Sequence, residues 1–133
     1  MRLPATVVSV AIAGVLGIGV GVLGAFVHSI SVSALGVDLP VGLVPALAGL
    51  GALLVASGAA LRSRVPVIGA SIGWAVGVFA MAVPSNEGDL VVAGTMGGYL
   101  FLIGGALLIG GCLTLAYDQP ATRGPRVGGP AEL

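Results

Sequence analysis

Ala60-Leu61-Arg62-Ser63-Arg64-Val65-Pro66 decides how this chain folds. Its two arginines separate one uncharged run, Leu39 to Leu61, from another, Val65 to Asn86. A helix rises about 1.5 Å per residue, so about 20 residues cross a hydrocarbon core of about 30 Å. Each run is that long. Arg62-Ser63-Arg64 therefore reads as a tight basic loop between two membrane-spanning helices.

Working outward, the same arithmetic predicts an all-α integral membrane four-helix bundle over residues 1–117, with helices at about 4–28, 40–61, 65–83 and 91–117. Pro4 suits a first helical turn, where its missing N–H costs nothing. Pro40 marks the start of the second helix, with Pro45 still near its first turns; Pro66 and Pro84 bound the third. The fourth helix has two possible starts, Leu90 or Met96, and ends at Tyr117, an aromatic suited to the membrane interface. Residues 29–39 form a connecting segment and residues 84–89 a polar turn. Residues 118–133 carry Pro120, Pro125 and Pro130 among glycines without an apolar period, and predict a disordered cytoplasmic tail.

Composition agrees. Hydrophobic residues make up 57% of the chain and charged residues 8%, whereas a soluble domain needs about a quarter of its residues charged. Apolar runs of about twice the ten-residue length of a barrel strand, without strict alternation, exclude a transmembrane barrel. The first run could pass for a signal peptide cleaved after Ser31-Val32-Ser33. Its apolar region, however, is well beyond the usual 7–15 residues or so, so an uncleaved anchor is expected. There is no lysine, which excludes a Walker-A phosphate loop and Schiff-base chemistry. Net charge is zero, so no basic face for nucleic acid is expected. The lone Cys112 permits no internal disulfide.

Arginines set the orientation. Arg2, Arg62, Arg64, Arg123 and Arg126 fall on one side of a four-pass chain, while Asp38, Glu87 and Asp89 fall on the other. The positive-inside rule then predicts cytoplasmic termini in a bacterial plasma membrane.

Small residues recur every four positions. The first helix carries Ala5, Ser9, Ala13, Gly17, Gly21, Ala25 and Ser29; the second Ala48, Ala52, Ala56 and Ala60; the third Gly69, Gly73 and Gly77. The fourth carries Gly94 and Gly98, and Gly97, Gly104 and Gly111 at heptad spacing. Such ridges let helix backbones approach closely in lipid, where packing drives association. They predict tight packing within the chain or against another subunit.

Few residues suggest chemistry. Gly69-Ala70-Ser71-Ile72-Gly73 matches the G-x-S-x-G pattern, but that motif needs a strand–turn–helix corner and a partnered histidine. Here it lies within a span, far from His28, the only histidine. His28 could sense pH or bind metal, and with Asp38, Glu87 and Asp89 could form an outer cation site of the kind that takes Ca²⁺ or Mg²⁺. The favoured reading is an interfacial side chain that caps a membrane helix, with the acids as solvated loop residues. Trp74 and Cys112 are expected to pack in the bundle. No Asp, Glu, Lys or Arg occurs within the four spans, whereas proton relays and ion pathways usually carry one. Small multidrug exporters share the four-span outline but need a carboxylate in the first helix, which is missing here.

Pro84-Ser85-Asn86-Glu87-Gly88-Asp89-Leu90, followed by Gly98-Tyr99-Leu100-Phe101-Leu102-Ile103-Gly104-Gly105, resembles an uncharacterised family of small four-span actinobacterial membrane proteins. Its members often sit near mycothiol-biosynthesis genes, and the resemblance implies no activity and no functional residues. The expectation is a non-enzymatic accessory or scaffold subunit, working as a homo-oligomer or within a larger membrane complex. An oligomeric permease for a small molecule or ion is the alternative. The bilayer and a membrane-protein partner or second copy are the expected partners, with no cofactor.

Overall fold

The computed structural model describes residues 4–83 and 95–115. In chain order these form α1 (Ala5–Val27), β1 (Val32–Ala34), β2 (Val37–Leu39), α2 (Leu43–Leu61), α3 (Val65–Ala82) and α4 (Met96–Leu115). All four helices are long and apolar enough to cross a bilayer. Residues 118–133, read from sequence as a tail, and the polar turn at 84–89 lie outside the described residues.

Local chemistry sets the helix ends. α1 follows Pro4, whose carbonyl accepts from Val7 and Val8. α2 begins at Leu43 instead of Pro40, because residues 40–42 close the preceding loop. There the Gly42 N–H donates to the Ile30 carbonyl at 3.0 Å, and a Cβ on Gly42 would lie only 1.7 Å from the Val27 carbonyl oxygen. Pro45 falls in the first turn of α2, where no donor is lost. Arg62 ends α2 in the left-handed region at φ 47°, and the Ser63 hydroxyl accepts from the Val65 N–H to start α3. α4 takes the later of its two starts: the Thr95 hydroxyl accepts from the Gly98 N–H at 3.3 Å, capping the helix. Residues 91–94 and 116–117, assigned to this helix from sequence, are outside the described residues.

The connecting segment at 29–39 holds an antiparallel hairpin. Val32 faces Leu39, Ser33 faces Asp38 and Ala34 faces Val37. Its two-residue turn, Leu35-Gly36, has positive φ at both positions, as a type I′ hairpin loop requires.

The core is small. Among the described residues, Leu50 and Leu54 of α2, Val67 and Val78 of α3, and Phe101 of α4 are its largest fully buried side chains. Much of the remaining apolar surface points outward. On α3 the buried Gly69, Gly73 and Gly77 each directly follow, or lie one residue from, an exposed position: Ile68, Ile72 and Val76. In water that surface would drive aggregation; in a bilayer it is the lipid-facing side.

Candidate functional site: packed and open helix faces

The most extensive helix contact joins α1 and α3. It is a backbone-to-backbone ladder. A Cβ on Gly69, Gly73 or Gly77 would fall 2.8, 2.0 and 2.6 Å from the carbonyl oxygens of Val10, Gly14 and Ile18. In return, a Cβ on Gly17 or Gly21 would fall 2.2 and 2.6 Å from the carbonyls of Ala70 and Trp74. Partners advance together along both helices, so α1 and α3 run parallel. Each glycine presents a Cα hydrogen where a Cβ would be, and that hydrogen points at a carbonyl. Cα–H···O contacts of this kind recur at close helix interfaces. Ala13 and Ala25 are buried as well, whereas Ala5 and Ser29 at the ends are exposed.

The other ridges fare differently. Ala48, Ala52, Ala56 and Ala60 lie on the outside of α2, and a Cβ on the neighbouring Gly49 would meet nothing within 4 Å. On α4 the heptad glycines do not act as a set. Gly104 receives the Leu47 side chain, with a virtual Cβ 2.9 Å from Leu47 Cδ1. Gly97 is half-buried near Pro40 and the His28 carbonyl, and Gly111 is exposed with nothing within 4 Å. Gly94 is outside the described residues, while Gly98 is buried.

A buried aromatic stack ties α4 to the ladder. His28 lies against Phe101 with ring centroids 4.9 Å apart and planes 6° from parallel. Phe101 meets the Trp74 ring edge-on at 5.6 Å and 62°. Glycines make the room: Phe101 Cζ occupies the space a Gly24 side chain would take, and Trp74 Cη2 lies 2.4 Å from a virtual Cβ on Gly105. The Trp74 Nε1–H is buried without a hydrogen-bond partner among the described residues.

His28 caps α1, as the sequence suggested, and its ring is enclosed by the protein. It is 3% exposed, and its Nδ1 lies 3.0 Å from the Gly24 carbonyl. A carbonyl only accepts, so Nδ1 carries the hydrogen. Asp38 is exposed in the hairpin and pairs with the Ser33 hydroxyl. Glu87 and Asp89, the other members of the candidate cation site, lie outside the described residues. Among the described residues no group of three His, Cys, Asp or Glu side chains is placed to hold a metal. The G-x-S-x-G serine is engaged in its own helix: Ser71 Oγ donates to the Val67 carbonyl at 2.7 Å. Arg62 is exposed in the loop, Arg64 half-buried at the start of α3, and Cys112 half-buried on α4.

Sequence reasoning missed the hairpin and the aromatic stack. The hairpin had a local signal, with Val32-Ser33-Ala34 and Val37-Asp38-Leu39 alternating around a two-residue Leu35-Gly36 turn. The stack had none, since its members sit on α4, α3 and the end of α1, and only packing brings them together.

Four apolar spans and a lipid-facing exterior define the class: a small multi-pass membrane protein, a helical bundle embedded in the bilayer. Residues 2–128 match the family of unknown function DUF6113, and the chain belongs to that family. No curated protein and no solved structure matches it.

Proposed function

We propose that this protein is a non-enzymatic accessory or scaffold subunit, associating through the outer face of α2 with a second copy or with a helix of a larger complex. One observation carries the reading: the α2 ridge. Ala48, Ala52, Ala56 and Ala60 keep the four-residue spacing that α1 and α3 use for close packing, yet stay uncovered. Small residues give lipid little to pack against and give a partner helix a shallow groove. The absence of Asp, Glu, Lys and Arg from the described spans supports a role without proton or ion coupling. The reading places the Arg62–Arg64 loop and both termini in the cytoplasm of an actinobacterial plasma membrane.

An oligomeric permease for a small molecule or ion is the second reading. It rests on the Trp74 indole N–H, a donor held inside the bundle with no partner among the described residues. A mild-detergent pull-down of C-terminally tagged protein from its native membrane, with native sizing, tests the first reading. A stoichiometric companion or a defined oligomer is expected. Flux through vesicles holding only the pure protein would instead establish transport.

A further inference from the structure

From the hairpin at 32–39 we infer a membrane-surface anchor: its apolar face and Leu35 tip lie in the headgroup–acyl boundary of the bilayer that the helices cross. The inference needs only the membrane-embedded class and is independent of what α2 binds.

Register separates the hairpin into two faces. Pairing places Val32, Leu39, Ala34 and Val37 on one side and Ser33 with Asp38 on the other. All six are exposed, and the only charge, Asp38, is tied to Ser33 on the polar side. The tip is the sharper observation. Leu35 occupies a turn position at φ 55° that Asn or Gly ordinarily fills, and its side chain touches nothing among the described residues, with exposure of 104%. A leucine there gains nothing from the bundle and strains its own backbone. Lipid gives it a reason.

Continuity says what covers this face. The hairpin begins a few residues after α1, whose lipid-facing Leu23 and Phe26 lead toward it, and its far end runs into Val44 at the start of α2. Leu39, Pro40, Val41, Val44 and Pro45 line an open apolar groove of about 590 Å³ at this junction. α1, with 23 residues, already spans a core of about 30 Å, so the short tether holds the hairpin at the bilayer surface. Strands of three residues reach only about 10 Å, comparable to the interfacial layer. Lying flat, the hairpin buries its apolar face as an interfacial amphipathic element does, with Asp38 toward water.

The test uses the full chain in phosphatidylcholine–phosphatidylglycerol vesicles, with Cys112→Ala as background. An environment-sensitive fluorophore is attached through Leu35→Cys, Val37→Cys or Ser33→Cys in turn. At positions 35 and 37, quenching by shallow nitroxide lipids is expected to exceed quenching by aqueous iodide at least about twofold; at 33 the order reverses. Adding Leu35→Asn keeps the turn, since asparagine adopts positive φ readily, but removes the tip, and iodide quenching at 37 is then expected to rise. Equal iodide access at 33, 35 and 37 would overturn the inference. Shielding of 35 and 37 from both quenchers would overturn it as well and assign the face to a protein partner.

Discussion

The α1–α3 interface and the outer face of α2 are both built from small residues at four-residue spacing, yet one is sealed and the other open. In the first, glycine sits on carbonyl in both directions, so the backbones themselves are the packing surface. In the second, alanines line the outside, while the buried contacts of α2 are made by Ala46, Leu50 and Leu54 on the opposite side. Of the α3 window, 44% is buried, against 17% for α2 and 17% for α4. α3 is thus the most buried helix; α2 packs against α1, α3 and α4, and α4 packs chiefly against α2 through side chains such as Leu47 on Gly104. Spacing identifies a surface capable of close approach; whether that surface is filled depends on what the rest of the chain brings to it.

Substitutions on the ladder should have the largest effect. In Gly73→Leu the first side-chain carbon would fall on the Gly14 carbonyl, and no rotamer choice moves that atom. Backbone must shift along the whole ladder, at a cost of about 3 kcal/mol or more. Loss of the folded bundle in detergent is expected, read by unfolding followed with Trp74 fluorescence; Gly21→Leu should act in the same direction. An unchanged transition for both would break the contrast between the faces.

Next comes the aromatic stack, which joins α4 to the ladder. Phe101→Ala removes the contacts to His28 and Trp74 and leaves a cavity, costing about 3 kcal/mol. Trp74→Phe is subtler. It deletes an N–H that has no partner while keeping an aromatic ring, so the removed desolvation cost offsets the lost volume and a change within about 1 kcal/mol is expected. A much larger loss would mean that the packing of the indole's outer ring against Gly105 outweighs the cost of its unpartnered N–H.

The open positions should matter least to stability. Gly110→Ala and Gly49→Ala, where a Cβ meets nothing within 4 Å among the described residues, are expected to change the unfolding free energy by about 0.5 kcal/mol or less. Ala52→Leu should be equally silent in stability but should reduce association, seen as a smaller particle on native sizing. Loss of stability in Ala52→Leu would sharpen the comparison the other way, making α2 part of the packed core.

Span number and the order of the helices were legible because hydrophobic runs and arginine breaks are local properties of the chain. The α1 and α3 glycines were legible as ridges, yet spacing alone did not say that they face each other. That followed only from Gly73 lying against Gly14 and Gly17 against Ala70. His28 read as a cap because it follows an apolar run of suitable length; that Phe101, remote in sequence, encloses its ring was not legible. The α2 start moved from Pro40 to Leu43 because Gly42 is needed against Val27 and Ile30, a contact made across the hairpin. Interactions within a few residues could be read from sequence, and those between spans could not.

The most direct test of the open α2 face is cysteine crosslinking in native membranes, with Cys112→Ala as background. Ala52→Cys and Ala56→Cys report the ridge, and Ile72→Cys on α3 reports a lipid-facing control. Discrete crosslinked products at 52 and 56 and none at 72 are predicted. Products absent from α2, or equally strong at 72, would contradict the account.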